Sequence, residues 1–330
     1  MSDLSTPPAN WSDQRWRDLA QAWVGDHLDR AGHRITGPVQ ARVRPWSLVW
    51  RLPTDAGAYW FKANNAGTRF EAGLLDALAH LAPGRVPEPV AVDAGRGWAL
   101  LPDGGETLRD AFARERDPAV WERVLTGYAA LQRATAPRAG ELLALGVPDH
   151  RPEVMPGLLA ELLDDREAIR VGVPGGLGPQ VYERLRAFLP EFEARCRRLA
   201  SFGVPAGVQH DDLHDGNVFA ADHRVFDWGD ASVAHPFGTL LVTLNSVADS
   251  FALPAGDPVL VRLRDAYLDV WADRHDRAEL REAAGLAVTV AKVSRSLSWR
   301  RALSTPDPAR AEYAEAVPGW LAELFEPDKL

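Results

Sequence analysis

Residues 209–230 constrain this chain more than any other stretch. They read Gln-His-Asp-Asp-Leu-His-Asp-Gly-Asn-Val-Phe-Ala-Ala-Asp-His-Arg-Val-Phe-Asp-Trp-Gly-Asp, so that His210, Asp211, Asp212, His214 and Asp215 crowd together before Gly216-Asn217. A surface loop can be this polar without any purpose. Here Val208 precedes the cluster, and Val218-Phe219 and Val225-Phe226 follow it, which ties the polar loop to strands inside the molecule. Carboxylates held there would suffer desolvation and mutual repulsion. A divalent cation removes that difficulty.

The spacing suggests a division of labour. Asp212 and Asn217 are five apart, Gly216 permits a tight turn between them, and Asp227 follows ten residues later across an expected hairpin. Phosphoryl transfer asks a protein for a carboxylate to take the hydroxyl proton, for oxygen ligands to Mg²⁺ and for a cation on the phosphate oxygens. Mg²⁺ takes a few hard oxygen donors and keeps water. Asp212 is therefore the expected proton acceptor, with Asn217 and Asp227 as metal ligands.

A chain of 330 residues fits two packed lobes better than one small core. A net charge of −9 leaves no basic surplus for a nucleic-acid partner, and it is compatible with a cationic substrate. Cys196 is the only cysteine, so no internal disulfide and no CxxC site can form. Met1–Asn10 is polar and Pro-rich, and no 18-residue apolar run occurs; no membrane partner and a cytoplasmic location are expected. Only Lys62, Lys292 and Lys329 are lysines, which makes a lysine in a special place informative.

Along the chain, Trp16, Leu19, Ala20, Trp23, Val24 and Leu28 form one helical stripe. β-prone stretches follow at Val39–Val43, Leu48–Leu52 and Tyr59–Ala63, with a turn at Thr54-Asp55-Ala56-Gly57. A helix is expected from a Thr68 cap onward, then strands at Pro89–Val92 and Trp98–Leu101, and a hinge at Pro102-Asp103-Gly104-Gly105. Beyond it the pattern is mainly helical, with Asp117-Pro118 expected to open one helix. The expected division is a lobe at 1–102 and a larger one at 103–330.

His210-x-Asp212-x-x-x-x-Asn217 and Phe226-Asp227-Trp228-Gly229-Asp230 resemble the catalytic and metal-binding motifs of the aminoglycoside phosphotransferase/choline kinase-like family. The resemblance implies an α+β, bilobal protein-kinase-like fold, with a small antiparallel-sheet lobe over a larger helical one. It implies ATP as co-substrate, Mg²⁺, and a small-molecule hydroxyl acceptor such as an aminoglycoside, an amino sugar or an amino alcohol. Three positions depart from the pattern: Asp211 stands where the family has Gly, Asp215 where it has Pro, and His235 where it often has an acid.

The resemblance also implies a strand lysine on the nucleotide phosphates, and Lys62 is the only lysine in the first 291 residues. Glu71 is its implied partner, although Thr68-x-x-Glu71 is equally a capping-box pattern. Ser47, in a loop without phosphate-cradling glycines, is a candidate to offer the phosphates its hydroxyl or backbone N–H. Leu101 and Asp103 are candidates to hold the purine through main-chain groups, since Pro102 has no N–H to offer. His210 reads as a loop-bracing residue, His214 matches a family position, and Asp230 either neighbours the site or caps the next segment. Trp299 lies on a late helix where the family builds its acceptor pocket, although a lone Trp on a helix is ordinarily core. Competing readings are a nucleotide-binding regulator on a decayed kinase, a metal-dependent phosphohydrolase using His210-Asp211, and a protein kinase; the last lacks an Ala-Pro-Glu element after Asp227. Oligomeric state is not spelled out.

Overall fold

Asp13 accepts the Trp16 N–H at 2.9 Å and so starts helix α1 (Gln14–Arg30). The structure, a computed structural model, describes residues 11–328; residues 1–10 and 329–330, Lys329 among them, lie outside the described residues. Ala20, Val24 and Leu28 are the buried stripe of α1, and Trp16 and Trp23 pack their rings on Trp50, Phe61 and Trp98.

Those rings belong to an antiparallel sheet of β1 (Gln40–Arg44), β2 (Ser47–Thr54), β3 (Gly57–Asn64), β4 (Ala91–Asp93) and β5 (Trp98–Pro102), in the order β1-β2-β3-β5-β4. The β2–β3 hairpin closes with Thr54 opposite Gly57, whose φ of 109° suits glycine. Side chains alternate across a strand. Phe61 is buried against α1, so Lys62, the next residue, faces the other side.

Helix α2 (Glu71–Leu81) crosses from β3 toward β4. It begins at Glu71 without a side-chain cap, which corrects the expected Thr68 cap. Thr68 is instead buried, and its hydroxyl lies 3.1 Å from the Trp46 carbonyl. Glu71 is thereby released from the capping box. Leu74, Leu75 and Leu78 of α2 join the core of the second lobe, not that of the sheet.

After β5 come α3 (Leu108–Phe112), α4 (Val120–Thr135), α5 (Ala139–Ala144), β6 (Asp149–His150), α6 (Met155–Asp164), α7 (Arg166–Ile169) and α8 (Pro179–Ser201). Next are β7 (Gly207–Gln209), β8 (Ser232–Ala234), α9 (Thr239–Phe251), α10 (Pro258–Asp269), α11 (Arg277–Ala302) and α12 (Ala316–Ala322). The architecture is α+β and bilobal, as expected. Asp117 does not cap α4: its carboxylate accepts the Ala119 N–H at 2.9 Å in a local turn, and the helix starts at Val120. The three short strands form a sheet in the order β6-β8-β7, and residues 210–231 leave β7 and return to β8. Lys292 is buried and donates to the carbonyls of Glu323 and Glu326, which fastens the C-terminal turn. Among the described residues no helix is long and apolar enough to cross a membrane.

Candidate active site

Sheet geometry delivers the first group. Lys62, on the face of β3 away from α1, places Nζ 2.8 Å from Glu71 Oε1 and 2.5 Å from Asp227 Oδ1. Glu71 Oε1 also accepts the Trp228 N–H at 3.0 Å. The alternative left open in the sequence resolves in favour of the ion pair. A Cβ at Gly229 would stand 3.1 Å from Glu71 Oε2, so the segment after Asp227 approaches α2 as closely as a glycine allows. Burial by itself lowers the Lys62 ammonium; the Asp227 and Glu71 carboxylates overcome this and raise it. Enclosure would raise the Asp227 carboxyl, and Lys62 outweighs it and lowers the group. Glu71, the more deeply buried of the two acids, is raised by burial in spite of Lys62.

The loop after β7 is braced from below. The Tyr128 hydroxyl accepts the His210 N–H at 2.7 Å. The buried His210 ring spans 2.9 Å from Nε2 to the Phe226 carbonyl, while Nδ1 accepts the Asp212 N–H at 3.2 Å. This network assigns the proton to Nε2, and burial lowers the imidazole's pKa, keeping it neutral. His210 thus ties the Asp212 loop to the Asp227 segment. A single bridge, Val218 to Val225, and a bond from the Phe226 N–H to the Asn217 carbonyl close the hairpin, which brings Asn217 alongside the residue before Asp227.

Three non-glycine residues of the segment hold left-handed backbone: Asp211 at φ 62°, His223 at φ 60° and Asp227 at φ 65°. This explains how Asp211 replaces a family glycine. Asp tolerates that conformation better than most residues, and its buried carboxylate accepts the hydroxyls of Ser232 at 2.7 Å and Ser294 at 2.8 Å. Asp215 stands at the first position of the turn Asp215–Asn217, where proline is otherwise favoured. It accepts Arg109 Nε at 2.9 Å and lies within reach of the Ser250 hydroxyl. His235 is buried and neutral, accepting the Phe237 N–H at 3.3 Å to start the next turn.

Asp212 receives a cation that sequence reasoning missed. Arg295 of α11 places Nη2 3.1 Å from Asp212 Oδ1 and Nη1 3.0 Å from Asp230 Oδ2. Asp230 is therefore an ion-pair partner at the site and not a cap. His214 Nε2 stands 3.6 Å from Asp212 Oδ2, and its Nδ1 accepts the Gly216 N–H. Burial would raise the Asp212 carboxyl; Arg295, with His214 and His210, holds it well below the usual carboxylate range. The role of Arg295 becomes visible only once α11 is packed. Every residue from Ala287 to Ser298 is buried, and a charge inside a helix buried all round needs a partner.

Asn217 Nδ2 donates to the Asp212 carbonyl at 3.0 Å. Among the described residues no hydrogen bond engages Asn217 Oδ1 or Asp227 Oδ2, and the Asp227 side chain is 44% exposed. One amide oxygen and one carboxylate oxygen are a donor set that fits Mg²⁺ completed by water and phosphate. No group of three or more His, Cys, Asp and Glu among the described residues is arranged to hold a metal alone.

The remaining candidates fall around this centre. Ser47 is buried at the start of β2, opposite Asn64. Leu101 pairs with Trp60 in the sheet. The Asp103 N–H, expected to face a purine, donates to the Ala58 carbonyl at 3.0 Å. This corrects that expectation: sheet pairing between β3 and β5 runs one residue past Pro102 and uses the donor. Trp299 stacks on Tyr313 and meets Trp46 edge-on at 5.5 Å, joining the β1–β2 turn to the second lobe.

Comparison with known proteins places this geometry. The sequence profile described as the phosphotransferase enzyme family matches residues 44–282, more than half of the chain. No curated protein matches the sequence significantly. Among solved structures, an ethanolamine kinase from Plasmodium vivax is similar over 96% of this chain and 90% of its own, at 9% identity and TM-score 0.62. A choline/ethanolamine kinase family protein from Mesorhizobium loti is similar over 94% and 95%, at 18% identity and TM-score 0.59. An APH(2″) enzyme solved with GDP and kanamycin is similar over 92% and 97%, at 16% identity and TM-score 0.58. At these identities the structures speak for the fold, and the profile speaks for the family. The chain belongs to the phosphotransferase enzyme family.

Proposed function

We propose that the chain transfers the γ-phosphoryl group of ATP, with Mg²⁺, to a hydroxyl of a small polar molecule bound on the second lobe. The observation that carries this reading is the 2.5 Å contact between Lys62 and Asp227, residues 165 apart in sequence, with Glu71 closing the pair. We assign the nucleotide to the cleft between a lobe ending near Pro102 and the lobe that follows. The similar APH(2″) enzyme was solved with a nucleotide, GDP, which supports a nucleotide co-substrate here.

In this reading Lys62 holds phosphate oxygens as a point charge, and Glu71 fixes its position. Asn217 and Asp227 would hold Mg²⁺, which supplies charge neutralisation at the phosphates. The acceptor oxygen bonds to the γ-phosphorus, and the bond from that phosphorus to the β,γ-bridging oxygen breaks. ADP leaves with the electron pair, and the hydroxyl proton passes by way of Asp212 to solvent. Arg295 makes the Asp212 carboxylate a weak base, so its main duty is to accept the hydroxyl's hydrogen bond and aim it. That suits a loose transition state, in which the nucleophile needs little deprotonation.

The test is nucleotide consumption across alcohols, sugars, amino sugars, aminoglycosides and nucleosides, with Asp212→Asn as the blank. The variant should lose about 10²- to 10⁴-fold in kcat while binding nucleotide as before. Undiminished turnover in Asp212→Asn would remove the role assigned to this carboxylate. ATP binding without transfer to any member would favour a nucleotide-binding regulator.

A further inference from the structure

A cavity of about 1170 Å³ is lined by none of Lys62, Asp212, Asn217 or Asp227. It lies beside them, between α7, the end of α11 and the 306–314 segment, and it shares walls with the catalytic segment at two points. Arg301 lines it and donates from Nη2 to the Gly229 carbonyl at 3.3 Å, two residues beyond Asp227. His150 lines it and stands 4.0 Å from Asp211.

Its charges do not balance. Arg300 is neutralised by Asp165 at 2.7 Å, and Arg310 by Glu167 at 3.1 Å. Asp307 turns its carboxylate to the Ala309 N–H at 2.7 Å. His150 is held neutral, pushed down to about 3 by burial. That leaves Arg170 and Arg301. Among the described residues neither has a carboxylate within ion-pair distance. Each side chain makes one hydrogen bond, to a carbonyl, Arg170 to Pro174 at 3.4 Å and Arg301 to Gly229, and Arg301 also lies 5.3 Å from the centre of the Phe70 ring. Each also has a buried Nε without a partner. Arg170 is held in left-handed backbone, at φ 51°. Unpaired guanidinium groups against low-dielectric walls are costly, and an oxyanion is the ligand their forked donors fit.

We propose that the acceptor carries an oxyanion, a carboxylate or a phosphate, bound by Arg301 and Arg170 in this cavity while its hydroxyl meets Asp212. This rests on the kinase reading and deepens it. Arg295, which holds Asp212, also reaches Asp230, and Arg301 reaches the carbonyl of the neighbouring Gly229, so both guanidiniums meet one short segment within the span of a hexose-sized molecule. The net charge of the chain points toward a cationic acceptor, but recognition is local, and the unpaired charge here is positive.

The first measurement is thermal unfolding with inorganic phosphate against chloride at equal ionic strength, without nucleotide. Phosphate should raise the Tm of the wild-type chain, less so in Arg170→Gln, and not at all in Arg301→Ala; Arg301→Lys should retain part. An equal rise in all four proteins, or none in the wild type, overturns the proposal, and Arg170→Gln keeps it testable should Arg301→Ala fold poorly.

The second measurement is transfer from Mg-ATP to gluconate, glucose 6-phosphate, glucose and glucosamine. An anionic member should lead glucosamine at least tenfold in kcat/KM and lose that lead in Arg170→Gln. Gluconate in front identifies a carboxylate, and glucose 6-phosphate a phosphate. Preference for glucosamine overturns the proposal, and if no member reacts the phosphate measurement decides. Failure of wild-type protein to bind ATP would instead sink the kinase reading and leave the anion site standing.

Discussion

Lys62 serves two carboxylates with one charge. Asp227 receives enough of it to be held low, while Glu71, deeper in the protein, is left raised; a second cation at Asp227 would relieve that competition. Asp211 shows the same economy without a cation in contact. Burial pushes its carboxyl up to about 6 from 3.8, against the pull of Ser232 and Ser294. The folded protein therefore binds this proton more tightly than the unfolded chain. The resulting stability is complete below about pH 4 and is lost as pH rises through about 6, a loss on the order of 3 kcal/mol. Asp211→Asn, which tolerates the same backbone, should flatten that slope and gain on the wild type above pH 6. Urea unfolding across this window measures it; parallel pH profiles for the two proteins would refute the assignment.

At the scale of elements, α11 matters most because it carries the counter-charge of Asp212 and Asp230. Arg295 bridges Asp212 and Asp230, and the Ser298 hydroxyl donates to the Asp230 carbonyl at 3.2 Å. Arg295→Met should leave Asp212 mis-aimed, with kcat lower by about 10²-fold. The Asp212 carboxyl should also climb from its depressed position, so that activity falls as pH drops through the new value. Arg295→Lys should restore the acid side of the pH–rate profile. A variant with wild-type kcat and an unmoved acid limb would show that the pair only supports the fold.

At the scale of the molecule there are two apolar cores. One core is α1 with the sheet; the other takes in α2 and the whole second lobe. Glu71 thus rides on the second lobe, and Lys62 on the sheet. Asn65 is a buried clasp between them. Its Nδ2 donates to the carbonyls of Pro45 at 3.2 Å and Ala302 at 2.9 Å, and its Oδ1 accepts the Thr68 N–H at 3.1 Å. Asn65→Ala orphans these groups, at about 1–3 kcal/mol, and should split the heat-capacity peak as the sheet core melts first. A single peak displaced as a whole would mean that the cores unfold together whatever this clasp does.

What the sequence determined by itself was local: helix stripes, the β2–β3 turn, and the order of Lys62, Asp212, Asn217 and Asp227, because periodicity and motif spacing are properties of neighbouring residues. It also carried the family, since residues 209–230 demand a compensated polar loop wherever they are placed. The helix start at Glu71, the engaged Asp103 N–H, the Arg295 bridge and the unpaired Arg170 and Arg301 were decided by tertiary structure alone. Each depends on which distant group arrives within about 3 Å, and no spacing along the chain encodes that. Thr68 could have capped its helix; the Trp46 carbonyl, 22 residues away, took its hydroxyl instead. A buried charge is cheap or costly according to its partner, and only the packed molecule says which partner it has.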